Sequence, residues 1–316
     1  MTPTRERQSS ALSRDVMEAF DNLNGPQPGF RPAHAKGILL AGVFSPATAA
    51  SSLTRAPHLQ RQSTPVWVRF SDFAGVPAIP DNDPNASPRG IAIRFRLGEH
   101  VHTDIIAHSV DGFPARTAEE FLEFLRAIHD STTATGTPPI ERFLASHPSA
   151  LQFVQAPKPM PASFATESFY AVNAYKFTNQ SGVSRYGRYR VRPEHDAEYL
   201  AAETAASKPP NYLFDEIKDR LAKGPVTLRI EVQLAADGDV VDDSTVHWPE
   251  NRPQMEFGTI RLTGALPSNE AEQRHIIFDP IPRVEGIEPS GDALLAPRAD
   301  VYLVSGRRRR AAGETI

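Results

Sequence analysis

Short runs in which apolar and polar residues alternate, separated by turn residues, recur along most of the chain. In the run 64–73, apolar side chains occupy positions 66, 68 and 70, whereas Trp67, Arg69 and Ser71 occupy the positions between them. Alternation over such short segments is typical of antiparallel β-strands that bury one face. The runs predicted as strands are 37–44, 64–73, 90–97, 101–110, 168–177, 187–192, 226–234 and 255–266. Eight strands of this kind fit a closed barrel, which leaves no exposed sheet edge.

Segments with helical periodicity lie before and between these strands. The first predicted helix covers residues 14–23, whose apolar side chains share one face and which a Gly-Pro pair follows. Another helix opens at Thr117, whose hydroxyl can cap it, with two glutamates in the first turn. Further helices are predicted at 140–154, 197–206, 212–221 and 269–278. The pattern therefore predicts an α+β protein, with a helical arm at residues 1–25 and one barrel domain with surrounding helices at 26–316.

Composition narrows the function more than it narrows the fold. The 316 residues include 34 basic and 38 acidic side chains, a formal charge of −4, so no global positive field exists to hold nucleic acid by its phosphates. Cysteine is absent, which excludes disulfides, thiol nucleophiles, iron–sulfur clusters and cysteine-ligated zinc. No apolar segment approaches the ~20 residues that span a bilayer, and none near the start has the length of a signal peptide. We therefore expect a soluble, cytoplasmic protein that binds neither nucleic acid nor membranes.

The polar candidates carry little specificity when each is taken alone. Neither a glycine-rich nucleotide loop nor an H-E-x-x-H metal motif occurs. His100 and His102 share a strand face and could bind a metal, although no acidic partner stands at a matching spacing. Arg69 and Ser71 project to the same side of their strand. They either face a ligand or a buried partner within the barrel, or they belong to an exterior polar face. A basic run at 307–310 is interpreted as a solvated helix end.

Seven fragments in a fixed order are more informative than any single residue. Each is weak by itself: a lone histidine such as His34 is usually structural, and the spacing of Arg298 and Tyr302 only places them side by side on a helix. The fragments are Arg31-x-x-His34-Ala-Lys-Gly37, Thr64-Pro65-Val66 with Arg69-Phe70-Ser71, Arg89-Gly90-Ile91-Ala92, Phe113 with Phe121, Thr245-x-x-Trp248-Pro249, Glu256-x-Gly258, and Gly286-Ile-Glu-Pro-Ser290 before Arg298-x-x-x-Tyr302. Together they resemble the haem catalase family, in particular its small catalase-related peroxidases, from about residue 24 to residue 310. That family has an antiparallel eight-stranded barrel with helices, in agreement with the pattern-based prediction.

The resemblance implies a haem b group that is held on both of its faces. Tyr302 would be the proximal iron ligand, with Arg298 one turn away to stabilise its anionic form. On the distal face, His34 would move a proton between the two peroxide oxygens. Ser71 would hydrogen-bond the other imidazole nitrogen of His34 and set its tautomer. The resemblance also matches arginines that hold the haem propionates and two aromatic residues of the pocket; these are Arg31, Arg69 and Arg309, and Phe113 and Phe121.

One position departs from the family pattern. The segment 102–108 aligns with the family motif W-D-L-V-G-N, so His108 stands where an asparagine helps to bind peroxide. An imidazole donates a hydrogen bond as an amide does, but it titrates near neutrality, and we therefore expect weak catalase activity. Residue 33 is alanine, neither the valine of catalases nor the threonine of the related allene oxide synthases.

These features predict a haem-dependent peroxidase that reduces hydrogen peroxide or organic hydroperoxides with electrons from a small organic donor. Two alternatives remain open: an enzyme that rearranges fatty-acid hydroperoxides on the same fold, and a barrel that binds haem without catalysis. The presence of both Tyr302 and His34 argues against the second, because mere storage needs no distal proton shuttle. The chain is short beside long catalases, so we expect a monomer or a homodimer rather than an interlocked tetramer.

Overall fold

The computed structural model describes residues 3–313, with side chains described from residue 11 onward. The strands are β1 (Gly37–Pro46), β2 (Thr64–Ser71), β3 (Gly90–Gly98), β4 (Val101–His108), β5 (Phe169–Tyr170), β6 (Tyr175–Thr178), β7 (Ser184–Pro193), β8 (Val226–Leu234), β9 (Gln254–Ala265) and β10 (Ile287–Pro289). The helices are α1 (Pro3–Asn24), α2 (Ala118–Ser131), α3 (Pro139–Ser146), α4 (Pro148–Gln155), α5 (Ala202–Ala206), α6 (Tyr212–Lys223), α7 (Asn269–His275) and α8 (Leu295–Ala311).

Eight of these strands form a closed antiparallel barrel. Around the ring the order is β1, β2, β3, β4, β5, β7, β8 and β9, and β9 pairs again with β1. The ring closes through β7 and β8, whose register runs from Gly187 opposite Leu234 to Pro193 opposite Leu228. Strand β6 pairs with β7 beyond the short β5, and β10 adds to β6. The predicted α+β barrel with surrounding helices is confirmed.

The barrel interior is a hydrophobic core to which all eight strands contribute. Phe44, Phe95 and Phe257 are fully buried there, and the rings of Phe44 and Phe95 meet edge-on with their centroids 4.9 Å apart. Filling the interior with inward-facing apolar side chains is the usual arrangement of small barrels. The polar residues singled out in the sequence must then lie on the outer face.

That outer face is covered by protein over strands β1 to β4. Leu39 is fully buried there and packs against Ile276 and Phe278, which follow α7. Arg69 and Ser71 lie on this same outer face, since their neighbours Val68 and Phe70 point into the core, yet only 3% and 4% of their surface is exposed. Each sequence interpretation of the pair is therefore right in part: the two side chains lie outside the barrel, and they are buried against partners there. The two side chains neither point into the barrel nor form a solvated surface, because segments from elsewhere in the chain pack over them.

Several boundaries differ from the sequence prediction for identifiable reasons. The predicted strand 168–177 is two short strands, β5 and β6, separated by four residues that leave the ladder. The predicted helix 140–154 is the pair α3 and α4. Its break lies at His147, which has non-helical angles (φ −126°, ψ 81°), and at Pro148, which has no backbone N–H to continue a helix. The predicted helix at 197–206 is limited to α5.

Helix α1 begins at Pro3, well before the predicted start at residue 14, and packs along α2 and α8. Val16 and Phe20 form a buried cluster with Leu122 of α2. The division of the chain at residue 25 into an arm and a domain stays a prediction. Within residues 3–313, no helix combines the length and the apolar composition needed to cross a bilayer.

Candidate active site

Four neighbouring strands place one residue each in a single row on the covered outer face. Gly37 of β1 lies opposite Ser71 of β2, Ser71 lies opposite Gly90 of β3, and Gly90 lies opposite His108 of β4. Ser71 and His108 thus stand on either side of a glycine, whose missing side chain leaves space between them. His34 reaches this space from the segment that precedes β1. The fold brings together distal-site candidates that the sequence separates by more than 70 residues.

The backbone of His34 adopts an uncommon conformation that tertiary contacts hold in place. Its φ of 58° is left-handed, which typically costs a non-glycine residue about 1–3 kcal/mol. The N–H of His34 donates to the carbonyl oxygen of Phe73 at 2.7 Å, and the N–H of Ala35 donates to that of Ala74 at 3.0 Å. Strain that neighbouring contacts maintain is characteristic of functional positions.

The imidazole of His34 is oriented by a hydrogen bond at one ring nitrogen. Its Nδ1 lies 3.0 Å from the Oγ of Ser71. Gly90 fits against this pair so closely that a Cβ there would lie 2.6 Å from both Nδ1 and Oγ. Because Nδ1 is engaged with Ser71, Nε2 is the nitrogen through which His34 can exchange a proton with a ligand.

His108 lies next to His34 but has a less complete set of contacts. It pairs across the ladder with Gly90 on one side and Tyr170 on the other. Its Nδ1 is buried and has no hydrogen-bond partner, and its ring meets that of Phe153 edge-on at 6.4 Å. A buried polar atom without a partner is costly unless a ligand or a water completes it.

Both imidazoles are neutral at neutral pH. Burial, followed by the positive charges of Arg69 and other neighbours, lowers the pKa of His34 to about 3. Burial, followed by the charge of Arg298, lowers the pKa of His108 to about 3 as well. The expectation that His108 titrates near neutrality is therefore wrong for this fold, because desolvation and nearby guanidinium groups both disfavour the imidazolium form.

Helix α8 presents a second cluster to the same region. Arg298, Tyr302, Ser305 and Arg309 are spaced by four, three and four residues and therefore lie along one side of the helix. The Nε of Arg298 donates to the hydroxyl of Tyr302 at 3.1 Å, and its Nη1 donates to the Oδ1 of Asn173 at 2.7 Å. The guanidinium is thus held flat between a phenol and an amide.

The groups around Arg298 favour the charged form of its guanidinium. Burial alone lowers the pKa of Arg298, but the phenols of Tyr302 and Tyr175, together with Asp292, raise it above its usual value. Asn173 connects two of these groups, since its Nδ2 donates to the Oδ2 of Asp292 at 2.8 Å. The structure therefore places a positive charge directly beside the hydroxyl oxygen of Tyr302.

Three arginines converge beside α7, and their hydrogen-bond partners are neutral oxygens. Arg31 donates to the carbonyl oxygens of Gln273 and Ile276, both at 3.1 Å. Arg309 donates to the same carbonyl of Ile276 at 2.7 Å, and the Nε of Arg69 donates to the Oε1 of Gln273 at 2.7 Å. Burial, then the charges of Arg69 and Arg309, lowers the pKa of Arg31 well below its usual value. The cluster therefore carries an excess of buried positive charge that favours an anionic ligand.

Aromatic rings line the region on the helical side. The ring centroids of Phe113 and Phe121 lie 5.3 Å apart, and Phe121 lies 6.0 Å from Phe20 of α1. Phe113 also lies 6.5 Å from Phe153 of α4. The predicted pocket residues thus form a continuous aromatic wall that extends towards His108.

The geometry of these groups fits a haem. The charge of Arg298 acts on His34 and on His108, and that of Tyr302 acts on Arg31, so the distal, proximal and arginine clusters face one region. A flat apolar macrocycle with carboxylate substituents would meet aromatic walls, a phenol for its metal, and unneutralised arginines for its acidic edge. The unpaired Nδ1 of His108 and the buried, unpaired Nε of Arg309 are consistent with a missing ligand.

The alternative metal pair finds no support. The side chain of His100 is almost fully exposed, and its closest charged neighbour is Glu99, at 3.8 Å. His102 lies on β4 opposite Arg96, a cation that disfavours metal binding. In the part of the chain that the structure describes, no group of three or more histidine and acidic side chains could hold a metal ion.

Sequence reasoning missed two residues of the site and misjudged a third. Asn173 lies in the interruption between β5 and β6, at an odd-numbered position where alternation from Phe169 predicts an apolar side chain; this mismatch was the available signal. Gln273 carried no signal in the sequence. Arg309 was given two interpretations, as part of a solvated helix end and as an arginine that holds a propionate; it is 97% buried, so the first is wrong for this residue.

Comparison with known proteins places the chain in a family. The family model described as catalase matches residues 11–314. The chain is 34% identical over 306 residues to a catalase-related peroxidase of Mycolicibacterium paratuberculosis, covering 95% of this chain and 96% of the relative. It is 32% identical over 300 residues to one of Synechococcus elongatus, covering 93% and 87%. The chain therefore belongs to the catalase family, whose members are haem-dependent oxidoreductases that act on peroxide.

The fold supports the same assignment. A fungal catalase structure superposes with a TM-score of 0.79 at 22% identity, covering 90% of this chain and 60% of the fungal one. Catalase A from Saccharomyces cerevisiae gives 0.77, also at 22% identity, covering 90% and 62%. The chain thus shares the fold of these catalases and spans about 60% of their length. Its similarity to catalase-related peroxidases favours the peroxidase interpretation over a hydroperoxide-rearranging enzyme or a non-catalytic barrel.

Proposed function

We propose that this protein is a haem b peroxidase that reduces hydrogen peroxide or organic hydroperoxides at the expense of a small organic donor and that releases oxygen only weakly. The observation that carries the proposal is that two pairs of side chains face the same region. His34 with Ser71 faces the region from the barrel, and Tyr302 with Arg298 faces it from α8. A non-catalytic haem carrier would need the second pair but not the first.

The residues of α8 and the arginine cluster would hold the cofactor. Tyr302 would ligate the iron as a phenolate, with the Arg298 guanidinium stabilising its charge. Arg31, Arg69 and Arg309 would bind the propionates, and Phe113 and Phe121 would enclose the macrocycle in an apolar wall. The bound haem would supply the redox chemistry, and the protein would supply its ligand, its acid–base group and a dry pocket.

His34 would act as the distal acid–base group. Because its pKa is about 3, the ring is neutral and its Nε2 can accept the proton of an incoming peroxide and deliver it to the oxygen that leaves as water. The contact of Nδ1 with Ser71 fixes which nitrogen does this. This one hydrogen bond would both stop the ring from rotating freely and direct its proton-exchanging edge to the pocket.

His108 would account for the preference for donor oxidation over oxygen release. A neutral imidazole donates a single hydrogen bond through one nitrogen, whereas a carboxamide donates two and also accepts, so His108 holds a peroxide less completely than asparagine would. Its partnerless Nδ1 supports this role, because a peroxide oxygen could complete that contact. The second peroxide that disproportionation needs would then compete poorly with an organic donor.

The test is the rate at which the haem-loaded protein reacts with hydrogen peroxide in stopped-flow absorbance. We expect His34→Ala to slow this reaction by at least ~100-fold, the low end for a positioned acid–base group. His195→Ala, which changes an exposed histidine, is the matched control and should leave the rate unchanged. A native rate for His34→Ala with a full complement of haem would refute the assignment.

The location, the oligomeric state and the domain division of the enzyme belong to the same proposal. We propose that it acts in the cytoplasm as a monomer or homodimer, with residues 1–25 as an arm on a single haem-binding domain. Light scattering on the haem-loaded protein measures the mass directly. A tetramer would contradict this part of the proposal without affecting the chemistry.

A further inference from the structure

A groove of about 280 Å³ opens beside the arginine cluster. Helix α1 forms one wall, the loop from residue 25 to residue 32 forms another, and the end of α8 closes the third side. Its size is close to the lower limit of ~300 Å³ for ligand pockets and suits a ligand with one aromatic ring. The residues that matter below are Phe20, Asp21, Phe30, Arg31 and Arg308, all of which line it.

The loop wall of the groove has a defined shape. Gly25 and Gly29 have φ angles of 70° and 83°, in the left-handed region that glycine adopts without strain. The amide of Asn24 holds the end of α1 to this loop, donating to the carbonyls of Phe20 at 3.2 Å and Pro32 at 3.4 Å. These contacts fix the shape of the groove, and its apolar lining can pack against an aromatic ligand.

Arg31 belongs to both the groove and the proposed haem site. It lines the groove and is also one of the three arginines held only by neutral oxygens. Two propionates would bring two negative charges to three guanidinium groups, so the cluster that Arg31 shares with the groove would keep one net positive charge. Farther out, Asp21 and Arg308 form an ion pair at 2.8 Å that cancels within the groove. The net field of the lining is then positive and favours an anion.

We propose that this groove binds the electron donor, and that the donor is a small phenol carrying a carboxylate. The proposal rests on the peroxidase function above and assigns the donor class to it. The aromatic ring would pack against Phe20 and Phe30, and the carboxylate would be drawn to the guanidinium groups. One peroxide takes two electrons and two protons from two such phenols, which gives two waters and two phenoxyl radicals. Bound beside Arg31, the donor would lie at the carboxylate edge of the macrocycle, a short path for an electron.

The experiment uses three para-substituted phenols that differ chiefly in charge. These are 4-hydroxyphenylacetate, which is anionic, 4-methylphenol, which is neutral, and tyramine, which is cationic. Calorimetry measures the binding of each to the resting, haem-loaded protein without peroxide, and steady-state assays with peroxide measure the KM of each donor. We expect the anion to bind most tightly and the cation least, and the KM values to follow the same order.

Two substitutions at the groove should change the binding of the anion in opposite directions. Arg308→Gln removes a positive charge and should weaken binding of the anion about fivefold, whereas Asp21→Asn removes a negative charge and should strengthen it by a similar factor. Arg307→Gln is the matched control, because Arg307 is exposed on the same helix and does not line the groove. Phe30→Ala should weaken all three phenols alike, and none of these changes should alter the rate of reaction with peroxide.

The outcomes separate the two proposals. If the native protein oxidises none of the phenols, the peroxidase function fails. If it oxidises them with KM values that Arg308→Gln and Asp21→Asn leave unchanged, only the groove assignment is overturned. The groove assignment would also be overturned if the affinities measured by calorimetry followed the charge of the phenol but the KM values did not. The phenol bound in the groove would then not be the one that is oxidised. A truncated chain that ends at Gly313 is a further test. If it binds all three phenols more tightly, by the same factor for each, the terminal residues and not a donor would be the occupant of the groove.

Discussion

Gly90→Ala is a one-methyl change that tests whether the distal pair works through its geometry. Gly90 lies between Ser71 and His108 in the row of residues on the outer barrel face. Its φ lies outside the left-handed region, so alanine is tolerated by the backbone itself. What the new Cβ would disturb is the contact between His34 and Ser71.

The size of the effect follows from two distances. The added Cβ would lie 2.6 Å from both the Nδ1 of His34 and the Oγ of Ser71, whereas ordinary contact begins at 3.4 Å. One or both partners must therefore move by several tenths of an ångström, and their 3.0 Å hydrogen bond lengthens or breaks. Loss of that bond costs about 0.5–1.5 kcal/mol of stability. Misplacing a catalytic group by about 1 Å lowers its rate on the order of 100-fold.

The assay is stopped-flow absorbance after mixing haem-loaded protein with hydrogen peroxide. Gly98→Ala is the matched control on the same strand, because its Cβ would meet only Val101, at 3.8 Å. We expect the control to react at the native rate and Gly90→Ala to react about 10- to 100-fold more slowly, with an unchanged amount of bound haem. A native rate for Gly90→Ala would show that the orientation of His34 by Ser71 is irrelevant to the reaction.

Three further predictions concern the proposed iron ligand Tyr302, the distal residue His108 and the buried acid Glu167. Tyr302→Phe should lose most of the haem absorbance, because the phenyl ring cannot ligate iron; an unaltered spectrum would exclude Tyr302 as the ligand. His108→Asn should raise oxygen release relative to donor oxidation. Because the pKa of His108 is about 3, the product ratio of the native protein should show no titration of His108 between pH 5 and 9, and an identical product ratio in the variant would remove His108 from the site. Burial raises the pKa of Glu167 to about 7 from its ordinary 4.5, so the stability that depends on its protonated form is complete below pH 4.5 and is lost as the pH rises through 7. Urea unfolding of Glu167→Gln should show a shallower decline over that range, by up to about 3 kcal/mol, and an unchanged slope would contradict the burial argument.

The alternation of β2 shows how far a local pattern can be interpreted. Val66, Val68 and Phe70 are predicted to share one face of the strand, and they do so in the core, because a strand places successive side chains on opposite faces wherever it lies. The same pattern could not say what Arg69 and Ser71 meet on the other face. That depends on α7 and the segment after it, about 200 residues farther along the chain.

The candidate site, too, could be predicted only in part from the sequence. Spacing placed Arg298 and Tyr302 on one helix face, and the family resemblance implied that His34 and Ser71 belong together. They did not indicate the role of Asn173, which contacts Arg298 only because β5 and β6 are interrupted between them. An interruption of a strand follows from the sheet as a whole, so a local pattern does not contain it.

The sequence by itself determined the barrel, the helices on its outside and the family, since these depend on periodicity and on the order of short motifs. The tertiary structure decided which polar residues are buried and how they are charged. Arg309 changes from a predicted solvated end to a buried cation, and His108 changes from a group expected to titrate near neutrality to a neutral one. The physical reason is that burial and electrostatic energies are summed over all neighbours in space, whereas a sequence pattern records only neighbours along the chain.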